Sequence, residues 1–215
     1  NVIYDDPQVG QSKAYTPVRK ALGYKVTQEA IDHELYGQIE RWETALMDSA
    51  IYDQEVSGHL LLNNGFGTTD ADGFSATGFD GLALFSTAHT RLDGGTVLRN
   101  RPSTDINLGV TGLQNALVDF RTQSLTDRGR PQIIRPKLLI VHPNDTFTAR
   151  ELLQSEYRPG TANNEINAIR EDGLTFMTDD FVTDTNGWYL IGDQHDLNFI
   201  WDVKPRGGML ADGDS

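Results

Sequence analysis

The sequence predicts an α+β fold. Three observations carry this expectation. Helical periodicity runs from Thr27 to Asn63 without a proline, two shorter helical segments follow, and several short apolar runs bounded by turn residues read as strands. The long helix comes first, and helices mixed with short strands come after it.

The elements follow in chain order. Residues 1–26 are polar and broken by Pro7, Gly10, Pro17 and Gly23, which suits an extended arm or the return leg of a hairpin, with Val2-Ile3-Tyr4 and Tyr24-Lys25-Val26 as strand candidates. Thr27 is a fitting N-cap, and Glu29 and Asp32 lie near the positive helix end. Apolar side chains then recur at Ile31, Leu35, Ile39, Trp42, Leu46 and Ala50, and again at Val56 and Leu60, with Asp53 interrupting the stripe. A continuous helix over 27–63 would be a spine about 55 Å long at 1.5 Å per residue. The alternative is two helices with a break near Asp53 or Gly58. Asn63-Asn64-Gly65 stops the run.

Residues 65–81 are glycine-rich, carry Asp70, Asp72 and Asp80, and read as a surface loop. Asp105 or Asn107 can cap a second amphipathic helix bearing Leu108, Leu113, Leu117 and Phe120. Lys137–Val141 is an apolar run ended by His142-Pro143, the pattern of a buried strand. Asn144 or Asp145 caps a third helix through Leu153, and strands are expected at Leu174–Met177, Trp188–Ile191 and Leu197–Val203. A domain boundary falls near residue 100.

Composition narrows the function classes. The chain has 215 residues, enough for a sizeable core, and 38% hydrophobic with 23% charged residues is a globular balance. A net charge of −13 argues against a general basic groove for nucleic acid, which needs clustered Lys and Arg. The absence of cysteine excludes disulfides and thiolate metal sites. No apolar run approaches the ~20 residues of a membrane helix. The chain begins at Asn1 and reads as an excised or processed part of a longer polypeptide.

Motifs for chemistry are sparse. The five histidines make neither HExxH nor a helical pair three or four apart, and Asp70-Ala71-Asp72-Gly73 lacks the closing Glu of a calcium loop, so no metal site is expected. Phosphate-cradling glycine motifs are missing, and no cofactor is expected. Ser86 and His89 are close enough in sequence for a hydrolase to be considered, but the strained GxSxG turn is absent. Ser86–His89 then reads as the polar end of a strand anchored by Leu84-Phe85, with His89 tying the loop back to the spine. Trp42, Trp188 and Trp201 lie in apolar patterns and read as core or interface anchors. Arg99, Arg101, Arg128, Arg130 and Arg158 fall in loops or at element ends, where guanidinium groups suit bidentate pairing with carboxylates of other copies.

One set of segments, taken in order, resembles a known family. These are Gly23-Tyr24-Lys25-Val26-Thr27 entering the long helix, Leu60-Leu61-Leu62-Asn63-Asn64-Gly65-Phe66 leaving it, and Asp80-Gly81-Leu82-Ala83-Leu84-Phe85-Ser86-Thr87-Ala88-His89. Pro136–Pro143, Ala149–Ser155, Asn163–Asn167 and Gly187–Leu190 follow. Together they resemble the major head subunits of tailed phages, of the Mu type. The resemblance implies a Hong Kong 97-type capsid fold: an arm or loop remnant at 1–22, a peripheral domain at 23–100 built on the spine, an axial domain at 101–195, and a return strand at 196–215. It implies a spine packed through Leu35, Ile39, Trp42 and Leu46, self-assembly into hexamers and pentamers of an icosahedral shell, and no catalytic site. Double-stranded DNA would be enclosed without sequence-specific binding, in a virion assembled in the host cytoplasm. Portal, decoration and scaffolding proteins are the other partners it allows, and no membrane is involved. A nanocompartment shell around protein cargo shares the same fold and is the nearest alternative.

Overall fold

The computed structural model describes residues 12–33, 36–72, 74–91, 93–126, 129–160, 165–195 and 197–206. Its helices are α1 (Gln28–Asp32), α2 (Gln38–Asn64), α3 (Val110–Gln123) and α4 (Thr146–Gln154), with 3₁₀ turns at Pro143–Asp145 and Ala168–Asp172. Three strands, β1 (Pro136–Val141), β2 (Thr175–Thr178) and β3 (Trp188–Gly192), form one sheet in the order β2-β1-β3. β1 runs parallel to β2 and antiparallel to β3. The expected α+β class is what the chain adopts.

The central position of β1 explains its unbroken apolar sequence, because a strand covered on both faces has no need of alternation. Leu139 and Val141 point to one side, into a core with Leu113 and Leu117 of α3 and Ala149, Leu152 and Leu153 of α4. Leu138 and Ile140 point to the other, where they meet Leu61 and Leu62 at the end of α2, Phe85, Val182 and Tyr189. The sheet is therefore sandwiched between the α3–α4 pair and the last turns of the long helix. Each face buries enough aliphatic surface that truncating a residue such as Leu139 would cost about 2–5 kcal/mol.

The spine is not continuous. Thr27 caps as expected, its hydroxyl accepting from the Ala30 N–H at 3.3 Å, but α1 ends after five residues. Gly37 adopts φ 63°, a left-handed conformation that a helix cannot carry, and α2 starts after it. The break thus lies at Gly37, and α2 passes through Asp53 and Gly58 intact. A second correction concerns caps. α3 begins at Val110 after Gly109, later than Asp105 or Asn107 would place it, and α4 follows Asp145 without a side-chain cap bond. His142 supplies the cap one turn earlier, accepting from the Asn144 N–H at 3.1 Å.

Two expected strands do not form. Among the described residues neither Tyr24–Val26 nor Leu197–Val203 forms a strand. Val2-Ile3-Tyr4 lies outside the described residues. The other three strands fall within two residues of the expected limits.

Candidate functional site

The stripe expected to form the spine core is largely on the surface. Ile39 and Leu46 are half-buried, Trp42 is 46% exposed and packs edge-on against Tyr24 at 5.9 Å, and Leu35 lies outside the described residues. Met47, Ile51 and Tyr52 are more exposed still. Only the last turns of α2 reach the body, where Leu62 is buried. The cause is simple: the sheet is short, and a helix of 27 residues, about 40 Å long, outreaches it.

Where α2 does meet the sheet, polar groups fix the joint. His59 Nε2 lies 2.7 Å from Asp179 Oδ2, its Nδ1 lies 2.6 Å from the Glu55 carbonyl, and its ring stacks on Phe181. Asp179 is buried just after β2, and its other oxygen accepts from the Phe181 N–H. Asn63 donates to the Phe181 carbonyl and accepts from the Thr183 N–H, so one side chain bridges α2 to the connection between β2 and β3. Tyr189 donates to the Leu62 carbonyl at 2.9 Å, and burial pushes its phenol up to about 12, keeping it a neutral donor.

A second polar knot organises the glycine-rich loop. His89 Nδ1 lies 2.8 Å from Asp80 Oδ2, and its Nε2 lies 3.1 Å from the Leu84 carbonyl. Burial pushes the Asp80 carboxyl up, but the bonds from His89 and from the Leu82 N–H outweigh it and hold the group below its ordinary value. Asp70 accepts from Ser75 and from the Ala76 N–H, which makes it a loop cap, while Asp72 pairs with Lys20. Among the described residues no group of three or more metal-ligating side chains is brought together.

This geometry separates Ser86 from His89 as a reacting pair. Both ring nitrogens of His89 face oxygen atoms of Asp80 and Leu84, and the Ser86 hydroxyl accepts from the Ala88 N–H at 3.2 Å. A nucleophile needs its base within hydrogen-bond reach.

Three of the loop arginines pair with carboxylates of their own chain. Arg99 pairs with Asp119, and Arg101 grips both oxygens of Asp105 while its guanidinium lies 4.9 Å from the Phe66 ring centre. Arg158 pairs with Glu165, and the backbone of Arg130 exchanges bonds with Thr126 across a turn. Arg128 lies outside the described residues. No local pattern marks the residues that do organise the joint. His59 and Asp179 are 120 positions apart, and only the Asp-x-Phe turn after an apolar run hints at Asp179.

The chain thus has a mixed sheet-and-helix body, a helix that projects past it with apolar side chains exposed, and two histidines, His59 and His89, that tie separate segments together. A family model described as phage capsid protein matches residues 10–212, and the chain belongs to that family. Its role is that of a capsid protein, and its place is the virion. No curated protein and no solved structure matches the chain.

Proposed function

We propose that the protein is the major head subunit of a tailed phage, of the Mu type, with a Hong Kong 97-type fold. It assembles with copies of itself into hexamers and pentamers of an icosahedral shell that encloses double-stranded DNA. The observation that carries this reading is α2. Along its first four turns Trp42, Met47, Ile51 and Tyr52 are exposed, a run of apolar surface that the described residues of a single chain leave largely uncovered. The capsid family match supplies the kind of partner, other subunits of the shell.

In this reading residues 23–100 form the peripheral domain, 101–195 the axial domain and 196–215 a returning segment, and the joint of His59, Asn63 and Tyr189 with the sheet sets the angle between the two domains. The subunit has no catalytic duty, and the shell confines DNA by enclosure, in keeping with the net charge of −13. The test is nuclease protection. Particles purified from infected cells should hold double-stranded DNA that survives nuclease until the shell is disrupted. Particles filled with a single enzyme and free of DNA would overturn the phage-head reading in favour of a cargo compartment.

A further inference from the structure

The two ends of the sheet carry opposite charge. β1 and β2 start together, with Leu138 opposite Thr175, and end together, with Val141 opposite Thr178 and Trp188. The chain enters β1 through a basic stretch, Arg128 to Lys137, which holds four basic residues and no carboxylate. Arg130, Arg135 and Lys137 are exposed there, and their side chains pair with no carboxylate among the described residues. Arg170 adds a further exposed cation at this end. Glu171 and Asp193 offset part of the charge, with Asp193 accepting from the Arg135 N–H, while Asp172 is held by Arg121.

The far end is acidic. Between β2 and β3, residues 179–187 hold Asp179, Asp180 and Asp184 and no Lys or Arg. Asp179 is held by His59, but Asp180 and Asp184 are exposed and meet no cation among the described residues. One Asp184 oxygen accepts from the Asn186 N–H. Asp145 lies at the same end, just before α4, where the Thr146 hydroxyl meets that of Thr178 at 2.9 Å. Arg150, on the next turn of α4, sits 5.9 Å from the Phe147 ring centre and offsets part of this charge.

Each end also exposes an apolar anchor. Ile133, between Arg130 and Arg135 in the chain, is 80% exposed, and Phe147, close to Asp145, is 72% exposed. A large apolar side chain rimmed by charge has the composition of an interface core and its rim. The two patches cannot meet within one chain. The six residues of β1, at about 3.3 Å each, hold them about 20 Å apart, and ladders on both sides fix that strand. Complementary patches at opposite ends of one sheet are satisfied head to tail, between copies.

We propose that the basic end of one copy's sheet, with Arg130, Ile133 and Arg135, docks on the acidic end of the next copy's sheet, with Phe147, Asp180 and Asp184. This rests on the self-assembly reading above and names the surfaces it uses. The contact joins two different patches, so it is heterologous and closes into a ring or runs on as a lattice. Opposite charge guides the copies together and rejects the reversed orientation, in which like ends meet.

Charge reversal tests the pairing, in full-length protein freed of nucleic acid by nuclease and assembled at low salt. One variant carries Arg130→Glu and Arg135→Glu, a second Asp180→Arg and Asp184→Arg, and a third all four changes. Urea unfolding first establishes that each variant folds. Asp180→Arg alone replaces the acidic-end pair, in the third variant as well, if loss of the Asp184 bond to the Asn186 N–H unfolds the chain. The first two variants should lower the yield of sedimenting assemblies about tenfold or more, because like charges then face each other at every copy of the contact. The third should recover most of that loss, because opposite charges face each other again. Normal assembly of either of the first two would overturn the inference and leave the capsid reading standing. A folded third variant that stays unassembled would overturn it too, and is the result expected if the basic end grips packaged DNA instead. Failure of the unmodified protein to assemble at all would overturn the self-assembly reading, and the inference with it.

Discussion

Asp80 shows how a single carboxylate can set the acid limit of this subunit. Its side chain is almost fully buried, and the bonds from His89 and from the Leu82 N–H favour the charged form over the neutral one. The folded group therefore binds a proton less readily than the unfolded one, whose ordinary value is 3.8. Its contribution is complete above that value and is lost as pH falls below it toward the lower folded value. Asp80→Asn should cost about 1–2 kcal/mol at pH 7 and much less at pH 3, read by urea unfolding at the two pH values. An equal cost at both would show that charge at Asp80 does not matter. Tyr189 works in the opposite direction. Its raised phenol favours the folded state up to its ordinary value of 10, and that advantage declines as pH rises from there toward about 12.

At the scale of elements, α2 divides into an end packed on the sheet and a beginning that is mostly exposed. A side-chain carbon at Gly65 would come within 2.4 Å of the Leu61 carbonyl and 2.8 Å of the Phe85 ring, so the helix ends where backbone and ring pass too closely for any other residue. Gly65→Ala should destabilise by about 1–3 kcal/mol, measured as a lower denaturation midpoint. Gly58→Ala, in the same helix with open space around it, should stabilise by up to about 1 kcal/mol. An equal effect at both positions would contradict this description of the helix end.

The elements legible in the sequence were those with a local cause. β1 announced itself by an apolar run closed with His142-Pro143, α4 by the amphipathic turn after it, and Thr27 by its place before Glu29. The break at Gly37 was hidden, because a glycine within an apolar stripe reads as a tolerated weak point until its φ is known. Segment 197–203 alternates like a strand but forms none in the chain, because a strand also needs an edge in the right place, which no local pattern supplies. The polar joint was least legible, since His59 and Asp179 meet only through the fold. The loop arginines suit carboxylates of other copies by their sequence, and in the single chain Arg99, Arg101 and Arg158 meet carboxylates of their own.

On the scale of the whole molecule, folding and assembly draw on different surfaces. The core lies around β1, whereas Trp42 and its neighbours on α2 are exposed in the single chain. Trp42→Asp should leave the stability of the isolated subunit within about 1 kcal/mol, since it buries no charge there. The same change should abolish assembly, where a buried carboxylate would face apolar groups of a neighbour. A variant that unfolds alone, or one that assembles normally, would show that the stripe has another purpose. The central claim, that this chain is a shell-forming capsid subunit, is tested most directly by electron microscopy of the full-length product at high concentration. Closed polyhedral particles, or rings of five and six subunits, are the predicted result. A uniform small species across many buffers would contradict it.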